Sequence, residues 1–280
     1  MSEQLSFVRR FLRSKQGMAG LLIVVLNIGL ACFASRIAPY DFDEMDFGAM
    51  LAEPGTEGHC LGTDDMGRDV LTRLIYGSQV SLMVGMVAVS IGACLGTLLG
   101  LISGYFGGFF DALLMRLMDA LLAFPYILLA IAMMAALGAG LFNAMLAIGL
   151  VMVPSFARVV RGAVLNVKNE DFITGVRIMG ASHLWILARH VLVNVLPPII
   201  IYASLSFAGA IISEATLSFL GLGVPISRPS LGMLCNNGFT VLYSGLWWVS
   251  ILPGLYIMII VFGINLLGDF LRDEMNPKLK

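Results

Sequence analysis

Few side chains in this sequence are equipped for chemistry, and their spacing argues against catalysis. The three histidines, His59, His183 and His190, form no metal-binding pattern, and Cys32, Cys60, Cys94 and Cys235 lack metal-ligand spacing. A loop that cradles nucleotide phosphates needs Gly followed by Lys and Ser or Thr, yet the chain contains no Gly-Lys dipeptide. Neither an enzymatic activity nor a metal or cofactor of its own is expected. What remains are ionisable groups in apolar surroundings, which are costly in lipid and therefore functional candidates. Arg116 and Asp119 stand three apart, so they can pair on one helix face. Glu214, within Ser213-Glu-Ala-Thr216, could line a translocation path or tie neighbouring helices by hydrogen bonds. The densest polar group is the island Arg158 to His190, which also holds Arg161, Lys168, Glu170, Asp171, Arg177 and Arg189.

The elements that must position these groups are membrane spans. Hydrophobic residues make up 59% of the 280 and charged residues 12%, about half the usual globular share, which describes an all-α polytopic membrane protein rather than a soluble domain. Residues 1–16 read as a basic amphipathic segment, 17–38 as a first transmembrane helix and 39–73 as an acidic extracytoplasmic loop. Residues 74–270 read as a five-helix core, and 271–280 as a tail. Within the core, spans are expected near 74–110 (one span with a Gly-rich interfacial end), 111–137, 142–165, 196–222 and 246–270. The polar loop 158–190 lies between the fourth and fifth of the six spans, and residues 223–244 read as a loop rich in Pro, Gly and Asn. Gly85, Ser90, Gly92, Gly96 and Gly100 mark the second span for close helix packing.

Six crossings put both termini on one side. That side receives thirteen of the 17 basic residues, leaving Arg36, Arg68, Arg73 and Arg228 for the other. The bias predicts cytoplasmic termini and a cytoplasmic island. Within the island, Asn169 is expected to cap a short helix with Glu170 and Asp171 in its first turn. Phe172, Val176 and Met179 recur at i, i+4 and i+7 with Ile173 beside them, giving an apolar face; Gly180 ends the helix and Ser182 caps the next, which carries Trp185. Such a helix can lie on lipid or dock into a groove of a soluble partner.

Several ordered blocks resemble one family. His59-Cys-Leu-Gly-Thr-Asp-Asp-Met-Gly-Arg-Asp69, Arg116-Leu-Met-Asp119 with Ala123-Phe-Pro125, Gly180-Ala-Ser182 with Leu196-Pro197, and Glu214-Ala-Thr-Leu-Ser-Phe-Leu-Gly-Leu-Gly223 are similar to the second permease subunit of ABC importers for dipeptides, oligopeptides and nickel. Thr174-Gly175-Val176 departs from the Glu-Ala-Ala of the family's coupling loop, Val193 stands in place of its usual Pro, and Cys60 replaces a common Trp. The resemblance implies the ABC importer type I permease fold in a bacterial inner membrane, with a cytoplasmic coupling helix. It implies a second permease, two cytoplasmic ATPases that hold ATP and Mg, and an extracytoplasmic solute-binding protein as partners. Phe172, Ile173, Val176, Met179, Gly180, Ala181 and Ser182 are then the expected ATPase-coupling residues. Asp64, Asp65, Arg68 and Asp69 are candidates for docking the binding protein or second permease, or belong to a solvated loop. Nothing in the charge balance points to nucleic acid.

An ion-coupled secondary transporter, driven through Glu214 and the Arg116/Asp119 pair, is the alternative, although no internal repeat supports it. A disulfide between Cys60 and Cys235, both expected outside, depends on a separation that sequence does not fix. Substrate choice among peptides, nickel and metal chelates is open.

Overall fold

The computed structural model describes residues 10–223 and 228–275. Leu5, Phe7, Val8 and Arg9 of the amphipathic segment, and Lys278 and Lys280 of the tail, lie outside the described residues. Among the described residues five helices are long and apolar enough to cross a membrane, or six if a bent pair is one span.

The first helix, α1 (Lys15–Cys32), starts at Ser14, whose hydroxyl accepts from the Gly17 amide at 3.1 Å. After a short helical turn (Ala34–Ile37) and the acidic loop comes α2 (Val70–Phe106). It spans 37 residues without a break, where sequence suggested a shorter span with an interfacial glycine end. Those glycines are packing sites inside the helix. Gly92, Gly96, Gly100 and Gly104 face Met152, Phe156, Val160 and Val164 of α5 (Leu141–Val167). A Cβ at Gly92 would stand 2.8 Å from that of Met152, so a larger residue would push the helices apart. The constant offset between the two sets means that α2 and α5 run parallel and in register.

The third crossing is broken. Helix α3 (Gly108–Leu122) meets α4 (Tyr126–Leu137) at 93°. Pro125 cannot donate a backbone hydrogen bond and disfavours helical backbone at Phe124, so Ala123-Phe-Pro125 is a hinge in what sequence read as one span. A second departure concerns the polar loop 158–190. Its first ten residues continue α5, and its last eight open α7 (His183–Phe219), leaving 168–182 as the true connector. Helix α7 begins well before the expected start at 196. It contains a π-helical turn (Leu187–Val191) just ahead of Pro197 and Pro198, which cannot donate in a regular helical ladder.

The segment read as a loop, 223–244, contains α8 (Leu231–Leu242). The Ser230 hydroxyl accepts from the Met233 amide at 3.3 Å, and Leu231 and Leu234 are buried against α7 and α9 (Trp248–Met275). Composition hid this helix because its Gly and Asn are there for close approach: a Cβ on Gly232 or Gly238 would strike the backbone of Ala215 or Val249.

Four clusters of buried residues make the core, the smallest of them joining α3 and α5 around Met118, Val153 and Ala157. The central one joins α2, α4, α5 and α7 around Ile148, Phe156 and Leu217. A second joins α2, α7, α8 and α9 beneath the acidic loop, at what we term the loop end. The third joins α5, the connector and α7 at the opposite, basic end.

Candidate functional site

At the basic end the connector forms α6 (Asp171–Ile178). Its N-cap is Glu170, not Asn169, whose side chain instead donates to the Leu165 carbonyl at 3.2 Å and prolongs the end of α5. Asp171 and Arg177 stand in the first and last turns, where each complements the helix dipole. Gly180, at φ +85°, turns the chain out of the helix, and the Ser182 hydroxyl accepts from the Trp185 amide at 3.3 Å to start α7.

The helix is apolar on two sides. Ile173 is fully buried and Val176 half-buried against Val160, Val164, Ile186 and Val191, so these two anchor α6 to α5 and α7. Facing away are Phe172, Ile178, Met179, Leu184 and Trp185, with Ile178, Met179 and Leu184 each close to 80% exposed. Of the residues expected to make a coupling contact, Phe172 and Met179 are on this outward platform. Ile173 is turned inward, and Gly180, Ala181 and Ser182 shape the turn. Ile178, Leu184 and Trp185 join the platform from outside the expected set. The signal was present in a polar segment whose apolar residues exceed one helical stripe, because a second stripe needs a second partner.

The platform is braced by polar contacts. The Tyr105 hydroxyl lies 2.9 Å from His183 Nδ1, joining the end of α2 to the start of α7, and Lys168 Nζ donates to the Gly104 carbonyl at 2.7 Å. Arg161 makes a bidentate pair with Asp111 at 2.6 and 2.7 Å, and Ser103 donates to the same carboxylate. The expected Arg116/Asp119 pair does not form. Asp119 instead accepts from Arg158 of α5 at 2.5 Å, and Arg116 has no ion pair among the described residues. A same-helix pair three residues apart gains only a few tenths of a kcal/mol, and Asp119 is taken instead by a guanidinium of the neighbouring helix α5.

At the loop end the acidic motif folds inward. Asp64 is 2% exposed and accepts from Arg68 Nε at 2.8 Å, from Arg73, and from the Met66 and Arg68 amides at 2.9 and 3.0 Å. Asp69 caps α2 by accepting from the Thr72 amide at 2.7 Å, with His59 Nδ1 at 3.1 Å on its other oxygen. Trp248 Nε1 donates to the Thr63 carbonyl at 3.2 Å and locks the loop onto α9. Asp64, Arg68 and Asp69 are therefore buried within the chain and do not present the surface that sequence allowed; of that set only Asp65 is half-exposed. All four cysteines are free, so the Cys60–Cys235 bridge is absent.

Glu214 is fully buried in the wall between α2, α7 and α8. Its carboxylate accepts from Ser81 and Ser218 at 2.7 Å each, and Ser230 is its third hydroxyl partner. Because Ser230 also caps α8, one carboxylate fixes three helices. This is the structural role left open by sequence, and in this conformation Glu214 presents no surface to a path.

Residues 96–280 match the family described as the binding-protein-dependent transport system inner membrane component, and residues 5–54 match the N-terminal transmembrane domain of oligopeptide transport permease C. The chain belongs to this family of ABC importer permeases. It is 42% identical over 279 residues to the di/tripeptide transport system permease protein DppC of Pseudomonas aeruginosa (strain UCBPP-PA14), covering 98% of this chain and 92% of that one. It is 43% identical over 275 residues to the glutathione transport system permease protein GsiD of Escherichia coli O6:K15:H31, covering 98% and 90%. An inward-facing structure of the MetNI methionine ABC transporter superposes with a TM-score of 0.61 at 21% identity, over 74% of this chain and 97% of that one. The type I permease fold expected from sequence is thus the fold observed, and membership of this permease family sets aside the ion-coupled secondary transporter.

Proposed function

We propose that this permease imports peptides as one of two unlike membrane subunits, driven by two ATPases on the basic face and supplied by a solute-binding protein at the loop end. Relatives named for di- and tripeptides and for glutathione support the substrate class. The excess of basic residues at the end carrying α6 supports a cytoplasmic position for that end and for both termini, in a bacterial inner membrane. ATP and Mg belong to the partner ATPases in this reading, since the permease lacks a phosphate-cradling loop.

The observation that carries the proposal is the outward platform of Phe172, Ile178, Met179, Leu184 and Trp185 on an anchored helix. A groove on an ATPase covers these apolar groups, and closure of the ATPase pair moves α6 as a rigid body. Ile173 and Val176 pass that movement to α5 and α7, while the hinge at Phe124-Pro125 lets α4 reorient against α3. Coupling requires ATP to favour one of two arrangements of the spans, and a helix held by two of them can carry that bias.

The test is Ile178→Asp combined with Met179→Asp in the assembled transporter. Peptide-stimulated ATP hydrolysis and uptake should fall together while the permease still reaches the membrane with an unchanged unfolding temperature. Unimpaired uptake would overturn the assignment of α6 as the coupling contact.

A further inference from the structure

Two recesses open on one stripe of α2. Near the loop end, Phe42, Tyr76, Gln79, Met83 and Arg228 surround a recess of about 340 Å3. Below it, Leu82 and Met86 of α2, Ile28 of α1, Phe207 of α7 and Ile260 of α9 line an apolar recess of about 450 Å3. Gln79, Met83, Met86 and Ser90 stand at i, i+4, i+7 and i+11, so they lie on one helix face, and all four are exposed. The two recesses are therefore stacked along the membrane normal.

The register of α2 against α5 sets their depth. By the constant offset between these parallel helices, Leu141, the first residue of α5, is level with Ser81. With the start of α5 taken as the edge of the hydrocarbon, Tyr76 and Gln79 fall at the level of lipid headgroups. Leu82 to Ser90 descend about 12 Å below them, close to the ~15 Å depth of one hydrocarbon leaflet. The upper recess thus holds a cation and two aromatic rings at headgroup depth, and the lower one offers an apolar slot of acyl-chain length.

Charge points the same way. Two of the four basic residues assigned to the loop side, Arg68 and Arg73, are buried and share the Asp64 carboxylate. Arg228 is exposed, lines the upper recess, and has no ion pair among the described residues. A guanidinium in that place is suited to a phosphate monoanion, which it can take through paired hydrogen bonds. We propose that this stripe is a binding site for one phospholipid, with its phosphate on Arg228 and Gln79 and one acyl chain in the slot between α1, α2, α7 and α9. The lipid would cement α1, otherwise held mainly by α9, to the permease core. The proposal rests on the spanning topology and not on the peptide-import reading, so the two fail separately.

Native mass spectrometry of the assembled transporter, released from bacterial membranes into mild detergent, tests it. The unmodified complex should retain one phospholipid attributable to this permease. Arg228→Gln should lower its occupancy about tenfold, the loss expected for one charge-assisted hydrogen bond. Met86→Trp, at an exposed position, should fill the slot and abolish retention, and Ala203→Phe should repeat the result from the opposite wall. Absence of lipid from the unmodified complex would overturn the site. So would equal retention in all variants of unchanged unfolding temperature, or efficient cross-linking of Met86→Cys to the second permease, which would make the slot a subunit interface.

Discussion

The two ends of this permease treat their charged and apolar residues in opposite ways. At the basic end, apolar side chains face outward and the ion pairs Arg158–Asp119 and Arg161–Asp111 tie α3 to α5. At the loop end, charges face inward, and Asp64, Arg68 and Arg73 form a lock sealed beneath the loop. The difference separates two tasks. A platform that must be covered by a partner keeps its apolar surface available, whereas a lock that holds the outer loop and the start of α2 in place works best without solvent. A recognisable motif therefore says nothing by itself about whether its residues meet a partner or the chain's own interior.

The lock should give the largest effect when broken. Asp64→Ala leaves two buried guanidinium groups without their shared carboxylate, which is expected to cost about 3–5 kcal/mol. Differential scanning fluorimetry in detergent should show a large drop in unfolding temperature. Asp65→Ala, at the half-exposed neighbour, should change it little. Equal effects at the two positions would erase the inward-outward distinction.

A smaller contrast applies within α6 itself. Ile173→Ala removes a fully buried side chain and should destabilise by about 2–5 kcal/mol. Met179→Ala removes one that is 79% exposed and should stay within about 0.5 kcal/mol while weakening ATPase association. If co-purification of the ATPase fell equally in both at matched stability, the two faces of the helix would not have separate partners.

These contrasts show where sequence reasoning reached and where it stopped. Spans, glycine packing between α2 and α5 and the existence of α6 follow from hydropathy, small-residue spacing and local helix signals, all of which are properties of one stretch at a time. The hinge at Pro125 was written in the sequence, but a 93° bend depends on what α3 and α4 pack against. Asp119 chose Arg158 over Arg116, Asp64 turned inward, and Glu214 gathered three serines; each outcome includes a partner between 9 and 133 positions away. Long-range partner choice is decided by packing, and a charge in an unaligned sequence carries no mark of which way it will face. Helix α8 escaped for the same reason, since its Gly and Asn read as loop residues until the backbones they approach are known.

The finest comparison lies within the loop end, between its two cysteines. Cys60 is exposed, whereas Cys235 on α8 is partly buried beside Leu234, which borders the same recess as Asp64 and Arg73. Burial, with the nearby Glu214 carboxylate adding to it, pushes the Cys235 thiol up to about 11. At pH 8 only about 0.1% of it is thiolate, the form that reacts with maleimides. In a Cys32→Ser/Cys94→Ser background, Cys60 should therefore label quickly and Cys235 slowly at pH 8. Labelling of Cys235 should rise steeply with pH, because each unit below about 11 lowers its thiolate fraction about tenfold. Introducing Asp64→Ala should accelerate Cys235 at constant pH, since opening the lock hydrates the wall that keeps the thiol neutral. If Cys235 labelled slowly at every pH and equally in both backgrounds, access alone would control it, and the lock would stabilise the loop without shielding α8.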